Sequence, residues 1–267
     1  MGTIFLLGDA VLDSHYWLTN KELDLRGELT RLGFSVKNYA TEDARLQSMS
    51  RGIVPADKYR KSRSYPYDID SEGKIHPLRL LVQNSKMGGS FTPVYGRINS
   101  SESGDMAVLS IGGNNIKDNV VKILLGVDRY IKSILTSEFV AEYESVIQQI
   151  KNNCDHMVLI SIYLPYLGSG SSYGMYAAYA KPVMNKWHEF LEKIARKHNI
   201  PILDLSKTLD PQNRSHYGTV DIYPSNISNK CIADSIAYIH HHYDGFHIYS
   251  APNCDIRNIT VEDKYIY

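Results

Sequence analysis

The sequence predicts an α/β fold, a three-layer α/β/α sandwich around a five-stranded, mostly parallel sheet. Three observations carry this. Apolar runs of strand length alternate with stretches whose apolar residues recur at helical spacing. Two of those runs end in turns rich in Gly, Asp and Asn. The 267 residues, 43% of them hydrophobic, suffice for one large core, so residues 1–267 read as a single domain.

The first strand is Ile4-Phe5-Leu6-Leu7, closed by Gly8-Asp9, and Leu23, Leu25, Leu29 and Leu32 then mark a helix. Gly33 stops that helix before a second strand over 34–39, and a short helix is expected over 43–49. Residues 51–100 interrupt the rhythm with Pro55, Tyr65-Pro66-Tyr67, Gly88-Gly89 and Pro93, and read as an inserted excursion. A third, buried strand over 106–111 ends at Gly112-Gly113-Asn114-Asn115, and helices fill 116–152. Residues 157–163 give the fourth strand, a Gly/Ser/Tyr loop over 168–174 leads to a helix over 182–198, and Pro201 introduces the fifth strand over 202–205. A last helix is expected over 228–239. Parallel strands need crossover connections, which place helices on both faces and gather ligand-binding loops beyond the carboxyl ends of the strands.

The 29 basic and 29 acidic side chains cancel, which disfavours a nucleic-acid partner. No segment approaches the ~20 apolar residues of a membrane span, and residues 1–7 lack the basic flank of a signal peptide. Cys154, Cys231 and Cys254 are odd in number and widely spaced, which points to a reducing, cytoplasmic or otherwise intracellular setting. Adjacent imidazoles in His240-His241-His242 point to different helix faces, so no metal is expected there, and no cofactor motif is present. The run Arg51, Lys58, Arg60, Lys61, Arg63 reads as a solvated face or as a grip for a phosphate or an acidic partner.

Gly8-Asp9-Ala10-Val11-Leu12-Asp13 and Gly112-Gly113-Asn114-Asn115 should share one rim of the sheet. Either alone is ordinary turn chemistry. Together, in this order and after these strands, they resemble the SGNH (GDSL-type) hydrolases, which open with Gly-Asp-Ser and carry Gly-x-Asn-Asp after the third strand. Ile160 to Leu164 and Asn185 fall in similar places, and Ile222-Tyr223-Pro224-Ser225 resembles the Ile-Glu-Pro-Ser that some branches carry in place of Asp-x-x-His before the last helix. The resemblance implies a serine hydrolase of ester bonds acting through an acyl-enzyme, on an ester-containing small molecule or an acylated macromolecule.

The resemblance further implies a nucleophile at position 10, where a serine would sit on a tight turn and its amide would help hold the oxyanion; Ala10 stands there instead. Asn114 would donate a second oxyanion hydrogen bond, of a kind whose removal costs ~10²–10³ in rate, with Asp9, Gly113 and Tyr223 around it. The family's further glycine donor has no counterpart between Asn38 and Ala44. Tyr223 occupies the slot of the usual histidine, leaving His216 as the nearest upstream candidate base. Asp221 would orient that imidazole, act as a poor base, or cap the following turn. Ser14 lies past the turn and reads as a loop residue. Alanine at position 10 has two readings: a nucleophile deliberately removed, which the intact surrounding block favours, or an inactive binding module for a protein, glycan or nucleotide, which the missing histidine and glycine favour. A flavodoxin-like nucleotide binder lacks its Gly-rich phosphate loop here.

Overall fold

The computed structural model describes residues 2–14, 17–18, 20–40, 46, 103–117, 126–171, 173–174 and 177–265. The expected helix over 43–49, apart from Leu46, and the expected excursion over 51–100 lie outside the described residues.

The sheet runs in the order β2-β1-β3-β4-β5-β6-β7, with β1 Thr3–Gly8, β2 Ser35–Asn38, β3 Gly104–Ser110, β4 Cys154–Ile160, β5 Ile202–Leu203, β6 Ile248–Ser250 and β7 Thr260–Glu262. The first six are mutually parallel, and β7 returns antiparallel on β6. The helices are α1 Leu25–Arg31, α2 Gly113–Lys117, α3 Val127–Ile134, α4 Ser137–Lys151, α5 Ala177–His198, α6 Leu205–Thr208 and α7 Asn226–His241.

The period-two alternation of the strands makes the layers. Phe5 and Leu7 of β1, with Ala107 and Leu109 of β3, face Tyr143 of α4 and Trp187 and Leu191 of α5. Their neighbours Ile4, Leu6, Met106 and Val108 face Leu25 and Leu29 of α1 and Ile232, Ile236 and Ile239 of α7. A side chain of this kind, fully buried, contributes about 1.5–3 kcal/mol relative to exposure, so the paired cores hold the central strands from both sides. The helix starts follow their sequence: Asp24 caps α1 by accepting from Gly27 N–H at 2.7 Å, and Ser225 caps α7 by accepting from Ser228 N–H at 3.3 Å.

The α/β class and the parallel core of the sheet are those read from the sequence, but the strand count is seven rather than five. The two additional strands, β6 and β7, have three residues each. That is too short for alternation to register, and they form only because β5 offers an edge for β6 to extend. The predicted fifth strand is likewise cut to two residues, because Asp204 turns its side chain back to accept from Ser206 N–H and starts α6.

Candidate active site

The site grows from the carboxyl ends of β1 and β3. Gly8 adopts φ +119°, and a Cβ there would lie 1.8 Å from the Ser110 carbonyl oxygen, so only glycine lets the strands meet this closely. Asp9 N–H donates to that same carbonyl at 2.8 Å. The Asp9 carboxylate accepts from Ser110 Oγ at 2.8 Å and from Val11 N–H at 3.3 Å. Burial pushes the Asp9 carboxyl up to about 6, and these hydrogen bonds only partly oppose it. Asp9 is thus a buried clamp between the two loops, not a group presented to a ligand. The chain then turns, with Leu12 N–H donating to Asp9 O and Asp13 N–H to Ala10 O. Ala10 sits on this turn and is 5% exposed.

The loop after β3 lies alongside. Gly112, at φ +116°, rests on the indole of Trp187, whose ring carbons stand 2.2 Å from where a Cβ would be. The fully buried Trp187 therefore sets the height of this loop from the core below. Gly113 passes over Asp9, with its Cβ position 3.5 Å from Oδ2, which brings the two sequence blocks into one rim. The two asparagines that follow divide their work. Asn115 is buried and accepts from Leu46 N–H at 3.1 Å, whereas Asn114 stays half-exposed on the first turn of α2.

The third wall is the segment 214–225. His216 is 2% exposed; its Nδ1 accepts from Asp210 N–H at 2.9 Å, and its Nε2 stands 3.2 Å from the Asn213 side-chain nitrogen. Burial pulls its pKa below the ordinary histidine value, against the opposing charge of Asp210. With its Nδ1 lone pair taken by the Asp210 amide, the neutral ring carries its proton on Nε2 and has no free lone pair to act as a base. Asp221 is not joined to His216: its carboxylate lies 3.8 Å from Arg214, and its carbonyl accepts from Tyr166 N–H at 2.7 Å. The His216–Asp221 dyad expected as one reading of the sequence is therefore not assembled here.

Tyr223 fills the slot ahead of Pro224 and stacks on Trp17 with centroids 4.9 Å apart and planes 9° from parallel. Backbone bonds lock this pair, since Gly218 N–H donates to Tyr223 O at 2.8 Å and Thr219 N–H to Trp17 O at 2.9 Å. Ser14 is also no substitute nucleophile. It is 1% exposed, and its hydroxyl is shared with the Asn229 side chain of α7 at 3.0 and 3.3 Å.

Residues 4–251 match the family described as GDSL-like Lipase/Acylhydrolase. The chain belongs to that family. Its fold is that of the SGNH hydrolases: among solved structures it resembles a lipase, Lip_vut3, from a goat rumen metagenome (TM-score 0.54, 10% identity, 89% of this chain and 97% of the other). It also resembles an extracellular lipase from Streptomyces rimosus (TM-score 0.50, 13% identity, 86% and 95%). No curated protein matches the sequence. The match spans both the turn over 8–13 after β1 and the loop over 112–115 after β3.

Three contributors escaped sequence reasoning. Ser110 and Trp187 act through β-strand and helix positions that read as ordinary core. Trp17 follows a loop without periodicity, and its only sequence signal is an aromatic residue shortly after the first block. Among the described residues no three His, Cys, Asp or Glu side chains are grouped to hold a metal, and no helix is long and apolar enough to cross a membrane.

Proposed function

We propose that this chain is a non-hydrolytic member of its family, one that holds an ester- or acyl-bearing ligand at the carboxyl rim of the sheet without forming an acyl-enzyme. The observation that carries the reading is the stacked Trp17–Tyr223 pair at the residue that, by the family resemblance, takes the general base's slot, together with a position 10 that has no hydroxyl. Acyl transfer of this type needs a nucleophile and a base within hydrogen-bond reach. Here Ala10 supplies no hydroxyl, His216 is sealed in its own turn, and Asp221 faces Arg214. The other half of the machinery is retained: the Ala10 amide on its turn and the half-exposed Asn114 are suited to hold a carbonyl oxygen. An intracellular setting belongs to the same reading, supported by the three free thiols.

Trp17 provides the test, because the chain has two tryptophans and the other, Trp187, is fully buried. Titration with triacetin or tributyrin is expected to change tryptophan emission saturably, glycerol and acetate to leave it unchanged, and Trp17→Phe to abolish the response. An absence of saturable change with every ester, or a response that survives in Trp17→Phe, would count against ligand binding at this rim.

A further inference from the structure

The last turn of α7 lies at the amino end of the sheet, away from the rim, and is built from imidazoles and aromatic rings. His240 stands edge-on to Phe34, the buried residue between α1 and β2, with ring centroids 5.1 Å apart and planes at 74°. His241 meets His240 edge-on at 5.3 Å and reaches the same Phe34 at 6.3 Å. His242 ends the helix, its ring stacked on Tyr238 at 4.1 Å and its Nδ1 2.8 Å from the Tyr238 carbonyl oxygen. From β4, His156 stacks on Tyr243 at 4.1 Å.

Within this cluster His240 Nδ1 is buried with no hydrogen-bond partner among the described residues. A neutral ring tolerates that, because the tautomer with its hydrogen on Nε2 leaves Nδ1 as a bare lone pair. An imidazolium does not: both nitrogens then carry hydrogens, and one of them is buried without an acceptor. The face of Phe34 and the carboxyl end of a helix each favour a cation, but neither supplies that acceptor. The titratable neighbours are divided. Protonated His241 and His156, and the amino terminus, oppose a charge on His240, whereas Asp105 of β3 favours it. That carboxylate already accepts from Thr3 N–H at 2.5 Å, and on α1 Arg31 is taken by Glu28 at 3.1 Å. Burial outweighs these charges and holds His240 below the ordinary histidine range.

We propose that His240 is an acid-sensitive latch, which holds the last turn of α7 against Phe34 while neutral and releases that turn when protonated. The release is local, because Ile232 and Ile236, fully buried on the preceding turns, keep the rest of α7 on the sheet. Phe34 leads directly into the edge strand β2, so the start of that strand loosens with it. The open turn takes up the proton more readily than the closed one. The stabilising contact is therefore fully present above the ordinary value of 6.5 and is lost as the pH falls through the lower value of the closed turn, opposite in sign to the effect of Asp9. The inference does not depend on whether the rim binds or cleaves esters.

The test is hydrogen exchange of the full chain at about pH 7.5 and about pH 5, on either side of the histidine range, with protection corrected for the intrinsic pH dependence of exchange. The amides of residues 239–242 are expected to lose at least ~3-fold in protection at the lower pH, while those of residues 232–236 keep theirs. His240→Phe keeps a ring against Phe34, removes both nitrogens and should abolish the loss. His240→Asn, whose Oδ1 takes the place of Nδ1, should do the same and serves where the phenylalanine disturbs packing. His241→Gln should leave the loss in place. Equal protection at both pH values in the native chain, a loss that persists in the His240 variants, a loss that vanishes in His241→Gln, or one spread evenly along α7 would each overturn the proposal.

Discussion

Replacing Gly8 by alanine is expected to leave the chain largely unfolded at room temperature. The new methyl would fall 1.8 Å from Ser110 O and 2.7 Å from its carbonyl carbon, which are backbone atoms of a central strand that cannot rotate away. The residue must also keep φ +119°, which an L side chain resists. Relief would require β1 and β3 to separate at the end where Asp9 joins them, so the cost is at least ~4 kcal/mol, a large fraction of the stability of an ordinary domain. Urea denaturation followed by circular dichroism measures it, with Gly174→Ala as a control, because a Cβ at Gly174 meets nothing within 4 Å. A folded Gly8→Ala protein with an unchanged midpoint would contradict the described junction of the strands.

The second large effect concerns Asp9. Its folded pKa is raised from 3.8 to about 6 by burial, so the folded state holds a proton that the unfolded state has released. Stability from this group is fully present below pH 3.8 and is lost as the pH rises through about 6. A shift of this size corresponds to about 3 kcal/mol. Denaturation curves collected across that interval should therefore show a fall in the wild type that is absent in Asp9→Asn, whose amide oxygen still accepts from Ser110 and Val11. Parallel pH dependence in the two proteins would mean that Asp9 is solvated and is not the clamp described here.

Much of the fold was legible because its central strands are long, buried on both faces and stopped by glycine. Ile4 to Leu7 and Met106 to Ile111 announce themselves as apolar runs, and the turns that end them hold the residues that meet at the rim. β6 and β7 were not legible, since three-residue strands depend on a neighbour's edge more than on their own pattern. On the candidate site, the turn after β1 and the asparagine loop after β3 could be placed from the strand ends alone. The division between Asn114 half-exposed and Asn115 inside could not, because it depends on the backbone of Leu46, far away in sequence. His216 is the sharpest case. Its position upstream of Tyr223 made it a candidate base, yet its role is decided by the Asp210 amide and the Asn213 side chain, partners supplied by the fold of a loop without periodicity. Tyr223 could be read from the sequence as a departure from the usual histidine, but its stacking partner Trp17 could not.

The absence of both nucleophile and base at position 10 is the central claim, and it is tested most directly by p-nitrophenyl acetate hydrolysis together with fluorophosphonate labelling. Both are measured on the chain as it stands and on Ala10→Ser. The native chain is expected to hydrolyse the ester no faster than buffer and to take no label. Ala10→Ser, given a hydroxyl while His216 and Asp221 are engaged elsewhere, is expected under the proposed reading to stay within about tenfold of that background, short of the ~10²–10⁴-fold that a positioned base contributes. Turnover by the native chain, or stoichiometric labelling at position 10 with rapid turnover in Ala10→Ser, would show that a working base is present and that the site is a hydrolase lacking at most one oxygen atom.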